Sequence, residues 1–195
     1  MSLEDLNERL RILRAPEAVT ELRAFCCKEE EIQAYARENA LSDEEALVAR
    51  SYVVVESGKC VGYFTLLTDA IRLKLEERPS TVRYLTVPAL KIARIGVEIS
   101  NGKRQIGEWM LLVIVGLART ISADVGLRYV TLDALDRPKL IQWYERMGFV
   151  RSEGEQHHRM RDTGEFERPL DVVSMRLDII DRPPVNGSTA ATEVI

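Results

Sequence analysis

Leu3, Leu6, Leu10 and Leu13 recur at intervals of three and four with Glu, Asp and Arg between them. That is the period of an amphipathic helix, with a short strand over residues 10–13 as the competing reading. A second helical pattern over 28–39 puts Ile32, Tyr35 and Ala36 on one face, and a shorter one is expected at 43–48 behind Ser42 as its cap. The acidic run Glu29 to Glu31 reads as a solvated helix start. From Ser51 the texture changes: Tyr52-Val53-Val54-Val55, then Ser57-Gly58-Lys59, then a β-rich run from Cys60 to Leu67 predict a hairpin. Residues 72–83 are charged and contain Pro79, which predicts a surface excursion ended by Pro88, and 90–99 follow as a strand.

Ser100 to Gly107 form a turn with two glycines that opens into a helix from Glu108 to about Ser122, apolar enough over ten residues to be central. A strand at 128–134, a helix at 138–147 with Pro138 in its first turn, and the start of a strand at Gly148-Phe149-Val150 come next. Residues 151–169 are polar and read as a loop. In 170–180, Val173, Met175, Leu177 and Ile179 alternate with Val172, Ser174, Arg176 and Asp178, which predicts a last strand with one wet face. Beyond Asp181 the Pro183-Pro184 pair and Asn186 to Thr189 predict a flexible tail over 182–195, leaving 1–181 as one domain without internal repeats.

The 195 residues are 46% hydrophobic and 30% charged, the composition of a soluble domain with its own core. Disordered, collagenous and disulfide-framework chains are excluded. Lys and Arg number 27 against 31 Asp and Glu, and the net charge of -4 offers no general attraction to phosphate backbones. The longest apolar run, Trp109 to Ala118, is about half of the ~20 residues a bilayer span needs, and no signal segment opens the chain. A cytoplasmic protein without a membrane partner is expected. Three cysteines, Cys26, Cys27 and Cys60, cannot make a regular framework and are expected reduced. His157 and His158 stand side by side without a zinc spacing, so no metal is expected.

The strand, two-glycine turn and buried helix over 91–122 carry the candidate chemistry. A turn at a helix N-terminus leaves backbone N–H groups unpaired where the peptide dipoles add partial positive charge, which suits a pyrophosphate; a plain tight corner is the alternative. Lys91, Arg94, Lys103 and Arg104 against Glu98 make the segment net positive inside an acidic chain. About forty residues on stands Trp143-Tyr144-Glu145-Arg146-Met147-Gly148-Phe149. Its aromatic pair reads first as core, but a phenol with a pKa near 10 is also a general acid able to protonate a thiolate.

Together these segments resemble the GNAT family of acyl-CoA-dependent N-acetyltransferases over roughly residues 25–150 plus the last strand. Val53-Val54-Val55 and Cys60 to Phe64 look like the strands before the cofactor strand, Arg94 to Glu98 like the strand that pairs with pantetheine, and Tyr144 to Phe149 like the family's late YxxxGF signature. Phe25-Cys26, Tyr63 to Leu66 and Val87 to Leu90 look like the branch containing toxins that acetylate aminoacyl-tRNA.

The resemblance implies an α/β (α+β) fold, a mixed, mostly antiparallel central sheet flanked by helices, and acetyl-CoA as co-substrate. Ile95, Val97 and Ile99 would line or pair with the pantetheine arm, and the loop Gly102, Lys103, Arg104, Gln105, Ile106, Gly107 would hold the pyrophosphate. Tyr144 would protonate the departing thiolate and Glu98, through water, would take the amine's proton; Cys60 is read as core, with no covalent step.

Gly102 stands at the first position of the family's loop and Gln105 replaces its central glycine, which fits if Gln105 avoids the left-handed conformation. Three functions stay open: acetyl transfer to a primary amine, a toxin acting on aminoacyl-tRNA with an antitoxin partner, and a non-catalytic acyl-CoA-binding or regulatory module with a decayed loop. The leucines of residues 3–13 would pack on their own domain or on a second copy, giving a homodimer.

Overall fold

The computed structural model describes residues 3–101, 105–156 and 171–180. In chain order they form α1 (Leu3–Arg9), β1 (Arg11–Arg14), α2 (Val19–Ala24), α3 (Glu30–Glu38), α4 (Ala40–Glu45), β2 (Arg50–Glu56), β3 (Lys59–Arg72) and β4 (Thr86–Val97), followed by α5 (Ile106–Asp124), β5 (Tyr129–Leu135), α6 (Pro138–Arg146), β6 (Val150–Arg151) and β7 (Val172–Asp178). The strands make one seven-stranded sheet in the order β1-β2-β3-β4-β5-β7-β6. The pairings β1 with β2, β2 with β3, β5 with β7 and β6 with β7 are antiparallel. Mixed α/β architecture with a mostly antiparallel sheet is as the resemblance implies.

Two compact units share β3 and β4: one holds residues up to 67 with 92–120, the other 68–91 with the described residues from 121 onward. In the first unit the opening leucines resolve as both readings at once, because α1 ends at Arg9 and β1 begins two residues later against β2. Leu6 and Leu10 are buried, so this apolar face is spent inside the chain. The hairpin forms as expected, its two-residue turn made by Ser57 (φ 49°) and Gly58 (φ 73°), the positive pair that matches strand twist. The acidic start of α3 is also as expected, with Ala36 on its buried face. Ser42 is no cap: it lies inside α4, where its hydroxyl donates to Asn39 O at 2.9 Å, because α3 and α4 meet at Asn39. α2, unpredicted, packs Leu22 into a cluster with Phe25, Ala36, Val53 and Tyr63. α5 is long and apolar enough to cross a membrane by length and composition, yet it buries Ile106, Trp109, Met110 and Leu111 along with most of its central residues.

In the second unit Pro88 sits within β4 rather than before it: a proline lacks only the donor, and its carbonyl accepts from Arg128 N at 3.1 Å. The charged excursion is pinned, with Leu73 N donating to Leu85 O at 2.9 Å and Leu73 buried. The wet face of the last strand is not wet. Ser174 is 3% and Arg176 8% exposed, because Glu77 of the excursion caps the guanidinium at 2.6 Å. The His157-His158 pair, most of the polar loop and the tail lie outside the described residues.

Candidate functional site

The end of β4 is shaped by close approach of backbone to side chains. A Cβ on Gly96 would lie 2.9 Å from both Ile32 Cγ2 and Phe25 Cζ, and one on Gly62 would lie 3.0 Å from Gly96 O, so both positions need glycine for the helices to pack on these strands. Phe25 stands edge-on to Tyr63, with ring centroids 4.9 Å apart. β4 stops at Val97, two residues short of the expected end. Glu98 N donates to Val61 O and Ile99 N to Cys26 O, each at 3.0 Å, and Ile99–Asn101 close a 3-10 turn.

Ile95 and Val97 are half-buried and Ile99 is 51% exposed. The Glu98 carboxylate faces its own turn. One oxygen accepts from Ser100 N and Asn101 Nδ2, each at 3.0 Å, and from the Ser100 hydroxyl.

Gly102, Lys103 and Arg104 lie outside the described residues. Gln105 adopts φ 56°, the left-handed conformation its side chain was expected to avoid. For a non-glycine residue that costs roughly 1 kcal/mol. The ladder of α5 begins with Trp109 N donating to Gln105 O at 3.0 Å, so the N–H groups of Ile106, Gly107 and Glu108 precede it without intrahelical acceptors. Pyrophosphate oxygens fit such donors; Glu108, in the same turn, sets a local negative charge against them.

The expected positive excess narrows, since Lys91 pairs with Asp133 at 2.8 Å and the Arg94 guanidinium lies 5.2 Å over the Tyr35 ring. Ile95, Val97, Glu98, Ile99, Gln105, Ile106 and Gly107 all belong to the first unit.

Tyr144 belongs to the second unit, buried near the end of α6. Its ring meets Trp143 and Phe149 edge-on at 4.8 and 5.7 Å, and Phe149 N donates to Tyr144 O at 3.0 Å, which is how the turn after α6 locks the ring. Burial alone pushes its hydroxyl up to about 12, so it stays protonated through the neutral range. Cys60 is half-buried, donates to Gly62 O at 3.3 Å, and is pushed by burial up to about 12, which suits a core thiol and not a nucleophile.

Sequence reasoning missed one contact at the opening of α5. The Trp109 indole N–H donates to Asn7 Oδ1 at 2.6 Å across 102 residues of chain, and neither residue type announces the pairing.

No protein-family model and no curated protein matches this sequence. Solved structures do. A bacterial toxin superposes with a TM-score of 0.71 at 17% identity over 95% of this chain and 96% of its own. A tyrosine-to-phenylalanine mutant of KacT gives 0.70 at 17% over 88% and 96%, and AtaT complexed with acetyl-methionyl-tRNAfMet gives 0.67 at 16% over 85% and 93%.

The chain has the GNAT fold.

Proposed function

We propose that this chain is an acetyl-CoA-dependent N-acetyltransferase acting on a primary amine by direct attack, with aminoacyl-tRNA as the favoured acceptor and an antitoxin as its partner. The observation that carries the reading is the opening of α5, where the N–H groups of Ile106, Gly107 and Glu108, ahead of the first ladder bond and without a backbone acceptor among the described residues, follow a β4 ended by Val97. AtaT is recorded with acetyl-methionyl-tRNAfMet, with acetyl-CoA as AtaTR, and with the C-terminus of the antitoxin AtaR. KacT and AtaT were each solved as tyrosine-to-phenylalanine mutants, which supports a role for Tyr144.

Acetyl-CoA supplies a thioester whose carbonyl carbon accepts the amine nitrogen as the C–S bond breaks. The first-turn N–H groups of Ile106, Gly107 and Glu108, with the Gly102 to Arg104 segment before them, hold the pyrophosphate. Ile95 and Val97 offer the strand edge on which an amide-bearing arm pairs, and Ile99 flanks it with its N–H already given to Cys26. The Tyr144 hydroxyl gives its proton to the thiolate sulfur. Glu98 takes the amine's proton through water, with the carboxylate oxygen that Ser100 and Asn101 do not occupy or after releasing Ser100. No cysteine step is needed, consistent with the raised Cys60 thiol. The free cysteines and a core-bound α5 support action in the cytoplasm.

The test is coenzyme A release measured against small amines, peptides and charged tRNA, alongside calorimetric acetyl-CoA binding. Wild type binds and turns over; Gly107→Trp abolishes binding; Tyr144→Phe keeps the dissociation constant and lowers kcat by about 100-fold. A general acid works while protonated, and a hydroxyl near 12 stays so, hence kcat carries no falling limb from Tyr144 between pH ~7 and ~10. Binding without turnover on any acceptor would favour a non-catalytic acyl-CoA-binding module, the reading to which the left-handed Gln105 and the engaged Glu98 point.

A further inference from the structure

α1 does more than fill the core of the first unit. Leu6 and Leu10 bury its apolar face, and between them Asn7 presents its amide oxygen to the Trp109 indole at 2.6 Å. The indole N–H is a donor only and Trp109 is buried, so without Asn7 the donor is left unmet, which is costly inside a protein. Trp109 is also the residue whose backbone N–H begins the α5 ladder, directly after the N–H groups of Ile106, Gly107 and Glu108, which have no backbone acceptor among the described residues.

Two anchors therefore fix how the opening turn of α5 is rotated about the helix axis: the buried Ile106 and the Asn7-held indole. The second comes from the far end of the sequence. Rotation of that turn swings its first-turn N–H vectors, and hydrogen bonds to phosphate oxygens weaken steeply with angle.

We propose that Asn7 is a positioning residue for the acetyl-CoA pyrophosphate, acting through Trp109, a role that rests on the acetyl-CoA reading above. Asn7 touches no reacting atom. Its contribution is to cofactor affinity: the turn is held ready before the cofactor arrives, so less binding energy is lost in ordering it.

The experiment uses the full chain, with acetyl-CoA as probe, calorimetric Kd, and KM and kcat from coenzyme A release. Asn7→Leu removes the acceptor at similar volume, Asn7→Asp keeps it, and Trp109→Phe removes the donor from the other end. Arg9→Ala is the control, since it loosens α1 from Glu56, its partner at 2.9 Å, without touching the indole. Asn7→Leu and Trp109→Phe should each raise Kd and KM about tenfold with kcat within about twofold, while Asn7→Asp and Arg9→Ala stay near wild type.

A lower melting temperature with unchanged Kd in both Asn7→Leu and Trp109→Phe shows a purely structural bond and overturns the proposal. If Asn7→Leu does not fold, Trp109→Phe and Asn7→Asp decide it. Failure of the wild type to bind acetyl-CoA overturns the acetyltransferase reading itself and this inference with it, and is seen before any variant is made.

Discussion

The β4–α5 junction of the first unit and the β5–β7 face of the second secure their polar groups in opposite ways. At the junction the work falls to backbone and to small residues. Gly62 and Gly96 let chains approach, main-chain groups of Val61 and Cys26 take the N–H groups of Glu98 and Ile99, and the Glu98 carboxylate is satisfied by neighbours within three residues. On the β5–β7 face, side-chain charges from distant segments are closed in together. Glu77 receives Arg176 Nη1 at 2.6 Å, Glu153 N at 2.8 Å, and Lys74 N and Gly154 N at 2.8 and 2.9 Å. Asp133 holds Lys91 and the Ser174 hydroxyl, Asp69 accepts from Thr131, and Arg128 grips Asp178. Shape thus governs the first region and charge balance the second.

The sharpest way to break that contrast is Glu77→Gln. The Glu77 and Arg176 side chains are 8% and 10% exposed, and removing one partner of a buried pair leaves a charge without compensation, at a cost of about 3–5 kcal/mol. Urea unfolding should show a large fall in midpoint, and the double variant Glu77→Leu with Arg176→Met should recover much of it. A loss below about 1 kcal/mol would mean the pair behaves as an exposed one, and the contrast would fail.

Gly96→Ala is the matching change in the first region. The new methyl meets Phe25 Cζ and Ile32 Cγ2 at 2.9 Å, so the edge-on Phe25–Tyr63 pair must shift, costing about 1–3 kcal/mol as overpacking does. Gly96→Ala should therefore destabilise less than Glu77→Gln in the same urea series while weakening acetyl-CoA binding more. The reverse order in either measurement would show that the two regions do not divide shape from charge.

The same contrast explains what was legible in the sequence. Periodicity found the hairpin, β4, α5, β5, α6 and β7, because each carries its own pattern of apolar positions, and the Ser57-Gly58 turn needs only local chemistry. The burial of Arg176 was not legible: alternation marks which residues share a face, and only the excursion that carries Glu77 decides whether that face meets water. Ser42 misled for a related reason, since a cap is defined by where the preceding helix ends. In the site, the glycine turn and Tyr144 stood out through spacing. The engagement of Glu98 by Ser100 and Asn101, and of Trp109 by Asn7, depended on side-chain directions that spacing leaves open.

The smallest expected effect is also the most discriminating about the candidate site. Gln105 sits at φ 56° where the resembled family's loop has glycine. Gln105→Gly removes left-handed strain of roughly 1 kcal/mol but frees the unfolded chain, so the net gain in stability should be a few tenths to about 1 kcal/mol. Calorimetry then separates two accounts of the substitution. If the gain in stability comes with unchanged or tighter acetyl-CoA binding, the glutamine is a strained replacement in a loop whose backbone still does the holding, in keeping with a junction governed by shape. If affinity falls by more than about threefold, the Gln105 side chain itself contacts the cofactor, and the junction depends on side-chain chemistry as the β5–β7 face does.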